Sequence, residues 1–385
     1  MASRIVIVGG GPVGLAQAIA ASRLRGVEVT VVERGPATPE VAPKSFDHRV
    51  YALSPASMAL LDELGASLDA ARIAPVRAMH VTGDDGHSGI DFNGGVPVAT
   101  IAEHSAVMRA LAHRLAADGR VEIKYGVAPL EMHVIDAAGA QANRRELKLS
   151  DGSVITADLL IAADGNRSQI RNWADISVQA KDYESDGVVA NFKAERTHGD
   201  IARQWFTHDA VMAWLPLPDS HISIVWSLAR EASSALPEEA AEFSRAVAAM
   251  GQHELGALTL VSPIARFPLS RIMAADWVQP GLALIGDAAH AVHPLAGQGV
   301  NLGFADVRNL TSILRERSKF SAIGDIALLR RYERAGREAA WAVGEVTDKL
   351  RSLYLRDWKT ARWLRNEGLA LMDGMPAAKA MLVDY

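Results

Sequence analysis

The sequence predicts an α/β protein in which a parallel sheet covered by helices is interrupted by an antiparallel sheet. A strand, a glycine-rich turn, a helix and a second strand open the chain, which is the start of a parallel α/β unit. Between residues 183 and 230 the pattern changes to short, alternating, aromatic-rich strands with turn residues between them. That pattern indicates an antiparallel sheet inserted into the first.

Composition limits the possible classes of protein. The 385 residues are 49% hydrophobic and 22% charged, which is ordinary for a globular chain of about two domains. The net charge of -5 argues against nucleic acid as a partner. No apolar run approaches the roughly 18 residues that span a bilayer, so a cytoplasmic protein is expected. Cysteine is absent, which excludes disulfides, thiolate metal sites and a redox-active cysteine pair.

The opening unit has the pattern of a dinucleotide-binding site. The strand 4–8 runs directly into a G-x-G-x-x-G loop formed by Gly9, Gly11 and Gly14, and the next strand ends at Glu33. In such a loop the first glycine permits a tight turn, the second lets a pyrophosphate approach the backbone, and the third lets helix and strand pack closely. Glu33 can accept a hydrogen bond from a ribose hydroxyl and would repel a 2′-phosphate. FAD or NAD is therefore expected here, and NADP is not.

Further elements of the parallel sheet follow in order. Helices are predicted at 15–24, 55–64 and 105–117, and strands at 27–32, 121–125, 131–137, 146–149 and 154–162. The last of these strands ends in Ala163-Asp164-Gly165, which is also compatible with a simple turn. A helix is expected to start near 167–173.

The antiparallel part comprises a hairpin-like segment at 75–100 and strands at 188–193, 203–206, 211–215, 221–228 and 261–270, with an alanine-rich helix at 231–251. Inward positions such as Met212, Trp214, Val225 or Trp226 are candidates for the wall of an apolar substrate pocket, with plain packing as the alternative.

A second glycine loop follows a buried strand at 281–285. Gly286 and Asp287 end this strand, and Gly297, Gly299 and Gly303 then surround Gln298 and Asn301 at the start of a helix. A helix N-terminus carries positive potential that stabilises an anionic group, although a capped tight turn has the same pattern.

The spacing of His290 and His293 is compatible with a metal pair, but no third ligand is evident. Helices are expected at 307–316, 324–346 and 347–364. The basic, tryptophan-containing stretch 349–365 suits either an anionic membrane surface or packing on its own domain.

Three motifs follow one another in this chain: G-x-G-x-x-G with Glu33, Ala-Asp-Gly at 163–165, and Gly-Asp at 286–287 with the glycine loop after it. In this order they resemble the motifs of the class A flavin monooxygenases related to para-hydroxybenzoate hydroxylase. The third motif is the most specific, because GDAAHxxHPxAGQGxNLGxxDV matches from Gly286 through Val307 without a break. It resembles the signature of the ubiquinone-biosynthesis hydroxylases. Supporting matches are R-x-x-A-L-S at 49–54, L-P-L at 215–217, S-x-V-W-S at 223–227 and F-P-L at 267–269. One departure is His104, where this family usually has asparagine.

The resemblance implies a Rossmann-like FAD-binding domain of the para-hydroxybenzoate hydroxylase type, with an inserted antiparallel-sheet substrate domain and C-terminal helices. The predicted limits are 1–74, 101–175 and 268–346 for the discontinuous FAD-binding domain, 75–100 and 176–267 for the β-rich substrate domain, and 347–385 for the C-terminal helical segment.

The implied cofactor-binding residues are Gly9, Gly11, Gly14, Glu33, Arg34, Arg109, Asp164, Asp287, Gly297, Gly299, Val300 and Asn301. By the resemblance, Gly9, Gly11, Gly14 and Glu33 bind the ADP half of FAD, while Arg109 and Asp164 lie along the pyrophosphate. Asp287 hydrogen-bonds the ribityl chain, and the residues from Gly297 to Asn301 face the isoalloxazine.

The implied activity is hydroxylation of an aromatic ring by a flavin C4a-hydroperoxide, with O2 and NAD(P)H as co-substrates. Arg49, His293 and Pro294 are placed near the flavin ring, and His293 or His290 is a candidate acid or base. Only one dinucleotide fingerprint is present, so NAD(P)H is expected to bind transiently over the flavin.

The substrate implied by the resemblance is a polyprenylated phenol of ubiquinone biosynthesis. Two alternatives stay open. One is a monooxygenase of the same fold that acts on a soluble aromatic compound in catabolism or secondary metabolism. The other is a non-catalytic subunit of a quinone-biosynthesis complex. Peripheral contact with a membrane or with such a complex is compatible with the basic C-terminal stretch.

Overall fold

The computed structural model describes residues 2–38, 46–83, 89–93, 96–135, 143–207, 209–292 and 299–354. Up to Trp173 the elements are β1 (Ser3–Val8), α1 (Pro12–Ser22), β2 (Val27–Glu33), β3 (Val50–Leu53), α2 (Pro55–Leu64), β4 (Ile73–Val76), β5 (Ala78–Thr82), β6 (Gly89–Asn93), β7 (Ala99–Glu103), α3 (His104–Asp118), β8 (Val121–Tyr125), β9 (Pro129–Ile135), β10 (Arg144–Leu149), β11 (Val154–Ala157), β12 (Leu159–Ala162) and α4 (Gln169–Trp173).

The second half of the chain begins with a long strand and ends with a long helix. Its elements are β13 (Val178–Ala194), β14 (Ile201–Phe206), β15 (Ala210–Leu217), β16 (His221–Ala229), α5 (Arg230–Ala235), α6 (Ala240–Met250), β17 (Leu258–Leu260), β18 (Ala265–Ala274), β19 (Val278–Gln279), β20 (Leu282–Leu284), β21 (His290–Ala291), α7 (Gly299–Arg315) and α8 (Ile326–Tyr354).

The predicted parallel sheet is present, with the strand order β19-β20-β12-β1-β2-β8. All neighbours pair in parallel except β19, which runs antiparallel to β20. The strands β1, β12 and β20 are almost completely buried, because α1, α3, α7 and α8 contribute to the core that covers them. Strands buried on both faces read as continuous apolar runs, which is why the sequence marks them clearly.

The predicted antiparallel sheet is also present, with the order β21-β18-β13-β16-β15-β14-β5-β6 and with β17 paired to β13. Within it, β14 and β5 pair in parallel. The helix α6 packs against one face through Phe243 and Val247 and forms a second hydrophobic core there. Two smaller sheets, β11-β10-β9 and β3-β7-β4, complete the described part of the fold.

Several predicted elements are wrong in their bounds. The single strand expected at 154–162 is two strands in different sheets, separated at Asp158, which accepts a hydrogen bond from the Arg4 backbone N–H (2.8 Å). The helix expected at 231–251 is split into α5 and α6, because the residue before Pro237 is held in an extended conformation. The helices expected at 324–346 and 347–364 are one helix, α8, through residue 354.

The predicted domain limits fall at 74/75 within β4, at 100/101 within β7, at 175/176 before β13, at 267/268 within β18 and at 346/347 within α8. The division itself stays a prediction. Among the described residues, no helix combines the length and apolar character that a membrane crossing needs.

Candidate functional site

Four neighbouring parallel strands bring the predicted motifs to one edge of the sheet. The strands β20, β12, β1 and β2 lie side by side, and all of them run in the same direction. Their carboxyl ends lead into Asp287, Asp164, the loop from Gly9 to Gly14, and Glu33. In open α/β sheets, ligands bind outside the carboxyl ends of the strands. This edge is therefore the candidate site.

The glycine loop shows three different environments. A Cβ on Gly9, whose φ is +109°, would lie 2.3 Å from the Ala163 carbonyl oxygen. A Cβ on Gly14 would lie 1.9 Å from the Gly9 carbonyl oxygen. Around Gly11, by contrast, a Cβ would meet nothing within 4 Å. The first and third glycines therefore allow the loop to close, and the second leaves space in front of the N-terminus of α1.

Glu33 is held against this loop. Its carboxylate accepts hydrogen bonds from the backbone N–H groups of Gly10 (2.5 Å) and Gly35 (2.6 Å). A Cβ on Gly10 would lie 2.9 Å from the Glu33 Cβ, so the close approach requires glycine at position 10. Gly10 lies inside the glycine motif, but the motif does not mark this position as one that requires glycine. The neighbouring Arg34 is exposed.

Asp164 follows β12 and caps the helix α4. Its Oδ2 accepts hydrogen bonds from the backbone N–H groups of Gln169 (2.8 Å) and Ile170 (3.2 Å). Its Oδ1 is buried without a hydrogen-bond partner in the described part of the chain. Burial raises the pKa of the Asp164 carboxyl, although the hydrogen bonds to the helix oppose this effect.

Arg171 connects the turn after β12 to the turn after β20. Its buried guanidinium donates to the carbonyl oxygens of Asn166 (2.9 Å) and Ala288 (3.0 Å). No local pattern in the sequence marks this arginine, because its two acceptors are distant from each other in the chain. It fixes the spacing between the Asp164 and Asp287 turns.

Asp287 is accessible to solvent, yet protein atoms surround it closely enough that desolvation raises the pKa of its carboxyl group. The charges of His290 and Arg49 oppose this rise. Gly286, immediately before it, has a φ of +57°, which favours glycine at the start of the turn. These features are those of a side chain at the floor of a cleft, where it can accept hydrogen bonds from a hydroxyl-rich ligand.

A buried histidine–carboxylate pair stabilises the turn that carries Asp287. His290 Nε2 lies 2.7 Å from Asp306 Oδ2, which also accepts a hydrogen bond from the Gly286 backbone N–H (2.8 Å). Burial lowers the pKa of His290, but the Asp306 carboxylate outweighs it, so the pKa is raised. Because His290 is 2% exposed and engaged with Asp306, it fits a supporting role better than that of an acid or base in the cleft.

The helix α7 starts beside Asp287. A Cβ on Gly299 would lie 4.0 Å from Asp287 Oδ1, and a Cβ on Gly303 would lie 2.5 Å from Val13 in the first turn of α1. The first turns of α1 and α7 therefore lie close together, with Val300 and Asn301 buried. The predicted site residues His293, Pro294 and Gly297 lie outside the described residues.

The Asn301 side chain faces the protein. Its Oδ1 accepts hydrogen bonds from the Ser54 backbone N–H (3.1 Å) and the Ser57 hydroxyl (2.7 Å), and its Nδ2 donates to the Ala52 carbonyl (2.9 Å). Asn301 therefore anchors α7 to α2 and β3, and a contact with a cofactor is left to its backbone.

Arg49 lies between the Asp287 turn and the start of α3. It is exposed, and its guanidinium carbon lies 5.4 Å from the centroid of the Tyr51 ring. Its positive charge acts on Asp287, Tyr51 and His104. The predicted position of Arg49 beside the cofactor is compatible with this arrangement. Arg109 is half-buried on α3.

Three of the four candidates for the pocket wall lie on the helix-covered face of the large sheet, and Val225 lies on the opposite face. Met212, Trp214 and Trp226 are buried in the core beneath α6, where Met212 and Trp214 are 0% and 1% exposed. This packing disfavours them as the wall of a substrate pocket, a role that stays a prediction.

The opposite face of the same strands is more open. Val211, Ala213 and Val225 alternate with the buried residues and are half-buried. On this face the Asn191 Nδ2 donates a hydrogen bond to the Asp47 carbonyl (2.9 Å), two residues before Arg49. The open face is thus turned toward the segment that carries Arg49, and it is the better candidate for a substrate wall.

The carboxyl edge of the parallel sheet fits an FAD molecule. The open space at Gly11 admits a diphosphate, the Asp164 Oδ1 has no partner in the described residues, and Asp287 is an accessible acceptor. No group of three or more histidine, cysteine or acidic side chains within the described ranges is arranged to hold a metal ion.

Comparisons with known proteins show the family of the chain. Residues 2–347 match the family model described as FAD binding domain. The chain is 33% identical over 396 residues to 3-demethoxyubiquinol 3-hydroxylase of Escherichia coli (strain K12), covering 100% of this chain and 98% of the relative. It is 30% identical over 430 residues to the mitochondrial ubiquinone biosynthesis monooxygenase COQ6 of Caenorhabditis elegans, covering 99% and 94%.

Among solved structures, PqsL of Pseudomonas aeruginosa in complex with 2-aminobenzoylacetate superposes with a TM-score of 0.79 at 20% sequence identity, covering 96% of this chain and 100% of that one. That likeness concerns the fold.

Proposed function

Because the chain belongs to the FAD-binding monooxygenase family that includes the ubiquinone-biosynthesis hydroxylases, we propose that it hydroxylates a polyprenylated phenol through a flavin C4a-hydroperoxide. The chain is an FAD-dependent monooxygenase, and the substrate and the intermediate are the proposed part. One observation supports the proposed substrate and intermediate most directly. The Gly9–Gly14 loop, Glu33, Asp164 and Asp287 lie at one sheet edge, and an open apolar sheet face is turned toward the segment that carries Arg49.

The glycine loop and Glu33 hold the adenosine end of FAD in this proposal. The diphosphate approaches Gly11, where the first turn of α1 presents free backbone N–H groups and positive potential. Glu33, fixed by Gly10 and Gly35, accepts a hydrogen bond from the ribose. Arg34 and Arg109 are proposed to add positive charge along the same path.

Asp287 and the first turn of α7 hold the flavin end. The Asp287 carboxylate accepts hydrogen bonds from the ribityl hydroxyls. The backbone N–H groups of Gly299, Val300 and Asn301 lie at the positive end of a 17-residue helix. Negative charge on a reduced isoalloxazine is stabilised there. The bound flavin supplies the electrons and the site of oxygen activation, which no side chain of this protein provides.

The open face of the large sheet receives the phenol. Val211, Ala213 and Val225 offer a half-buried apolar wall without charged groups, which suits an aromatic ring with an apolar chain. Arg49, His293 and Pro294 are proposed to border the flavin on this side. In this proposal these residues position the phenol ring and exclude water from it. NAD(P)H is proposed to reduce the flavin transiently before oxygen reacts.

The test uses the FAD-loaded protein, reduced and mixed with 18O2. A short-chain prenylphenol is compared with the same phenol without its prenyl chain and with a soluble aromatic acid. We expect 18O in the ring of the prenylphenol, and little product from the other two compounds. Hydroxylation of the aromatic acid alone would replace the proposed substrate with a soluble one. FAD binding without any hydroxylated product would contradict the proposed activity.

A further inference from the structure

The strand β8 forms one edge of the parallel sheet. It is the last strand in the order β19-β20-β12-β1-β2-β8, and all five of its residues are in register with β2. Within the described residues, no strand pairs with its other side. An edge strand presents unpaired backbone N–H and C=O groups along that side. The backbone of β8 is therefore available to a strand of another chain.

An open cleft lies beside this edge. It has a volume of about 520 Å³ and is lined by residues of β2, β8 and β11, the last of which is the outer strand of a small sheet. Its walls include Glu122 and Lys124 of β8, and Val154 of β11, which is 57% exposed. The small sheet therefore leaves the Glu122 and Lys124 side chains of the edge strand accessible.

The five side chains of β8 form a symmetric pattern. Val121, Ile123 and Tyr125 lie on one face and are half-buried, while Glu122 and Lys124 lie on the other face. In both directions along the strand, the central isoleucine is followed by a charged residue and then by a large, mostly apolar one. The two charged residues have opposite signs. Such a strand is complementary to an antiparallel copy of itself, which is the arrangement that a twofold axis produces.

The charges favour one register of this self-pairing. With Ile123 on the twofold axis, Glu122 faces Lys124 of the second copy, and Lys124 faces Glu122 of the second copy. Val121 then lies opposite Tyr125, so all five residues are paired. A register centred on Glu122 or on Lys124 would instead place two like charges directly opposite each other, which is destabilising. The register centred on Ile123 is therefore the most favourable one.

We propose that this chain forms a homodimer in which two β8 strands pair antiparallel about Ile123 and join the two parallel sheets into one. The interface is isologous, because both copies contribute the same residues. Backbone hydrogen bonds between the two edges provide the attraction, and the Glu122–Lys124 pairs fix the register. The inference goes beyond the proposed function and does not depend on it.

Sedimentation velocity of the full chain over a wide range of concentration measures the dimer Kd, and we expect a reversible monomer–dimer equilibrium. Glu122→Lys should weaken the dimer by about tenfold or more, because two pairs of like charges replace two pairs of opposite charges. Glu28→Lys is the matched control. Glu28 lines the same cleft, and its side chain is 63% exposed against 62% for Glu122, but it lies on β2, away from the edge. This control should dimerise like the unaltered protein.

The register is tested by cross-linking, because the chain has no cysteine of its own. In the proposed dimer of Ile123→Cys, the two new thiols face each other with their Cα atoms about 5 Å apart, which a disulfide can bridge. In Val121→Cys, the two new thiols are four residues out of register and their Cα atoms are roughly 14 Å apart, which is too far. Mild oxidation should therefore link the first variant and not the second.

A third measurement needs no variant. Hydrogen exchange of the backbone amides of residues 121–125 in the unaltered protein should slow as the protein concentration rises, because dimerisation pairs this edge. A monomer at every concentration, or exchange in β8 that does not depend on concentration, would overturn the inference. A dimer that Glu122→Lys weakens no more than Glu28→Lys does would also overturn it. So would a dimer that Val121→Cys cross-links as readily as Ile123→Cys.

Discussion

Gly11 and Gly14 are three positions apart in one loop, but a methyl group has different consequences at each. At Gly14 it would lie 1.9 Å from the Gly9 carbonyl oxygen, so the backbone must shift. At Gly11 the space is open, and φ is -72°, which alanine adopts freely. The sequence motif contains both glycines without distinguishing their roles. In the structure, Gly14 is needed for close packing and Gly11 leaves room for a ligand.

We predict that Gly14→Ala lowers the free energy of unfolding, while Gly11→Ala lowers only the affinity for FAD. Overpacking at Gly14 should cost about 1–3 kcal/mol. At Gly11 the stability should change by less than about 0.5 kcal/mol, because the added methyl group meets only the ligand. Chemical denaturation of the apoprotein and FAD titration measure the two effects. Equal loss of stability in both variants would contradict the assignment.

His290 is predicted to make stability depend on pH. Its folded-state pKa is raised by Asp306, so its contribution is full below the unfolded value of about 6.5 and is lost as pH rises through the folded value. We expect the stability difference between the unaltered protein and His290→Asn to be largest in mild acid and to shrink toward alkaline pH. Urea denaturation of the apoprotein across this range measures it. An unchanging difference would show that the pair does not titrate in this way.

At the scale of elements, β15 has two faces with different roles. Met212 and Trp214 point into the core beneath α6, and Val211 and Ala213 point to the open face. Strand geometry requires this alternation, because successive side chains leave opposite faces of a sheet.

Substitutions at two adjacent positions of β15 test the assignment. Ala213→Leu should raise the KM for the aromatic substrate by severalfold and leave the melting temperature nearly unchanged, because it narrows the open face. Met212→Ala should cost about 2–5 kcal/mol of stability and leave the KM nearly unchanged. Steady-state kinetics and thermal unfolding distinguish the two. The reverse pattern would show that the substrate pocket is lined by the face of β15 that carries Met212 and Trp214.

At the scale of the whole molecule, Asp348 joins the last helix to the large sheet. Its carboxylate accepts hydrogen bonds from Lys181 and Arg271 (both 3.0 Å) and from the Tyr183 hydroxyl. Gly344 allows this contact, because a Cβ there would lie 2.7 Å from the Arg271 guanidinium carbon. One carboxylate on α8 thus holds two strands, β13 and β18.

We predict that Asp348→Asn destabilises the protein by about 1–3 kcal/mol, since Arg271 would keep a largely buried charge with weaker compensation. Burial raises the pKa of Asp348, but its three hydrogen bonds outweigh this and lower it. Its contribution is therefore present above the unfolded value of about 3.9 and is lost as pH falls through the folded value. Denaturation near neutral pH and in acid should show the difference shrinking in acid.

Lys181→Ala is the control, because Lys181 is half exposed and its ion pair should contribute at most about 1 kcal/mol. A loss as large as that of Asp348→Asn would mean that Lys181, and not Arg271, holds the helix.

The sequence by itself determined the local elements and the motifs that form the candidate cofactor site. The predicted bounds of helix α2 match the observed ones. In the structure Ser54 caps this helix, Pro55 starts it and Gly65 ends it in the left-handed conformation. The strand-end positions of Glu33, Asp164 and Asp287 could also be read from short buried runs followed by turn residues.

Tertiary structure decided what those elements face. Alternation along β15 assigns Met212 and Trp214 to one face, but only the packing of α6 shows that this face is closed. Tyr51 and His104 are 53 positions apart, and no local pattern predicts that their side chains meet. Periodicity and capping are properties of neighbouring residues and are therefore visible in the sequence. The covered face of a sheet, and the partner of a buried polar group, depend on residues brought together only by folding.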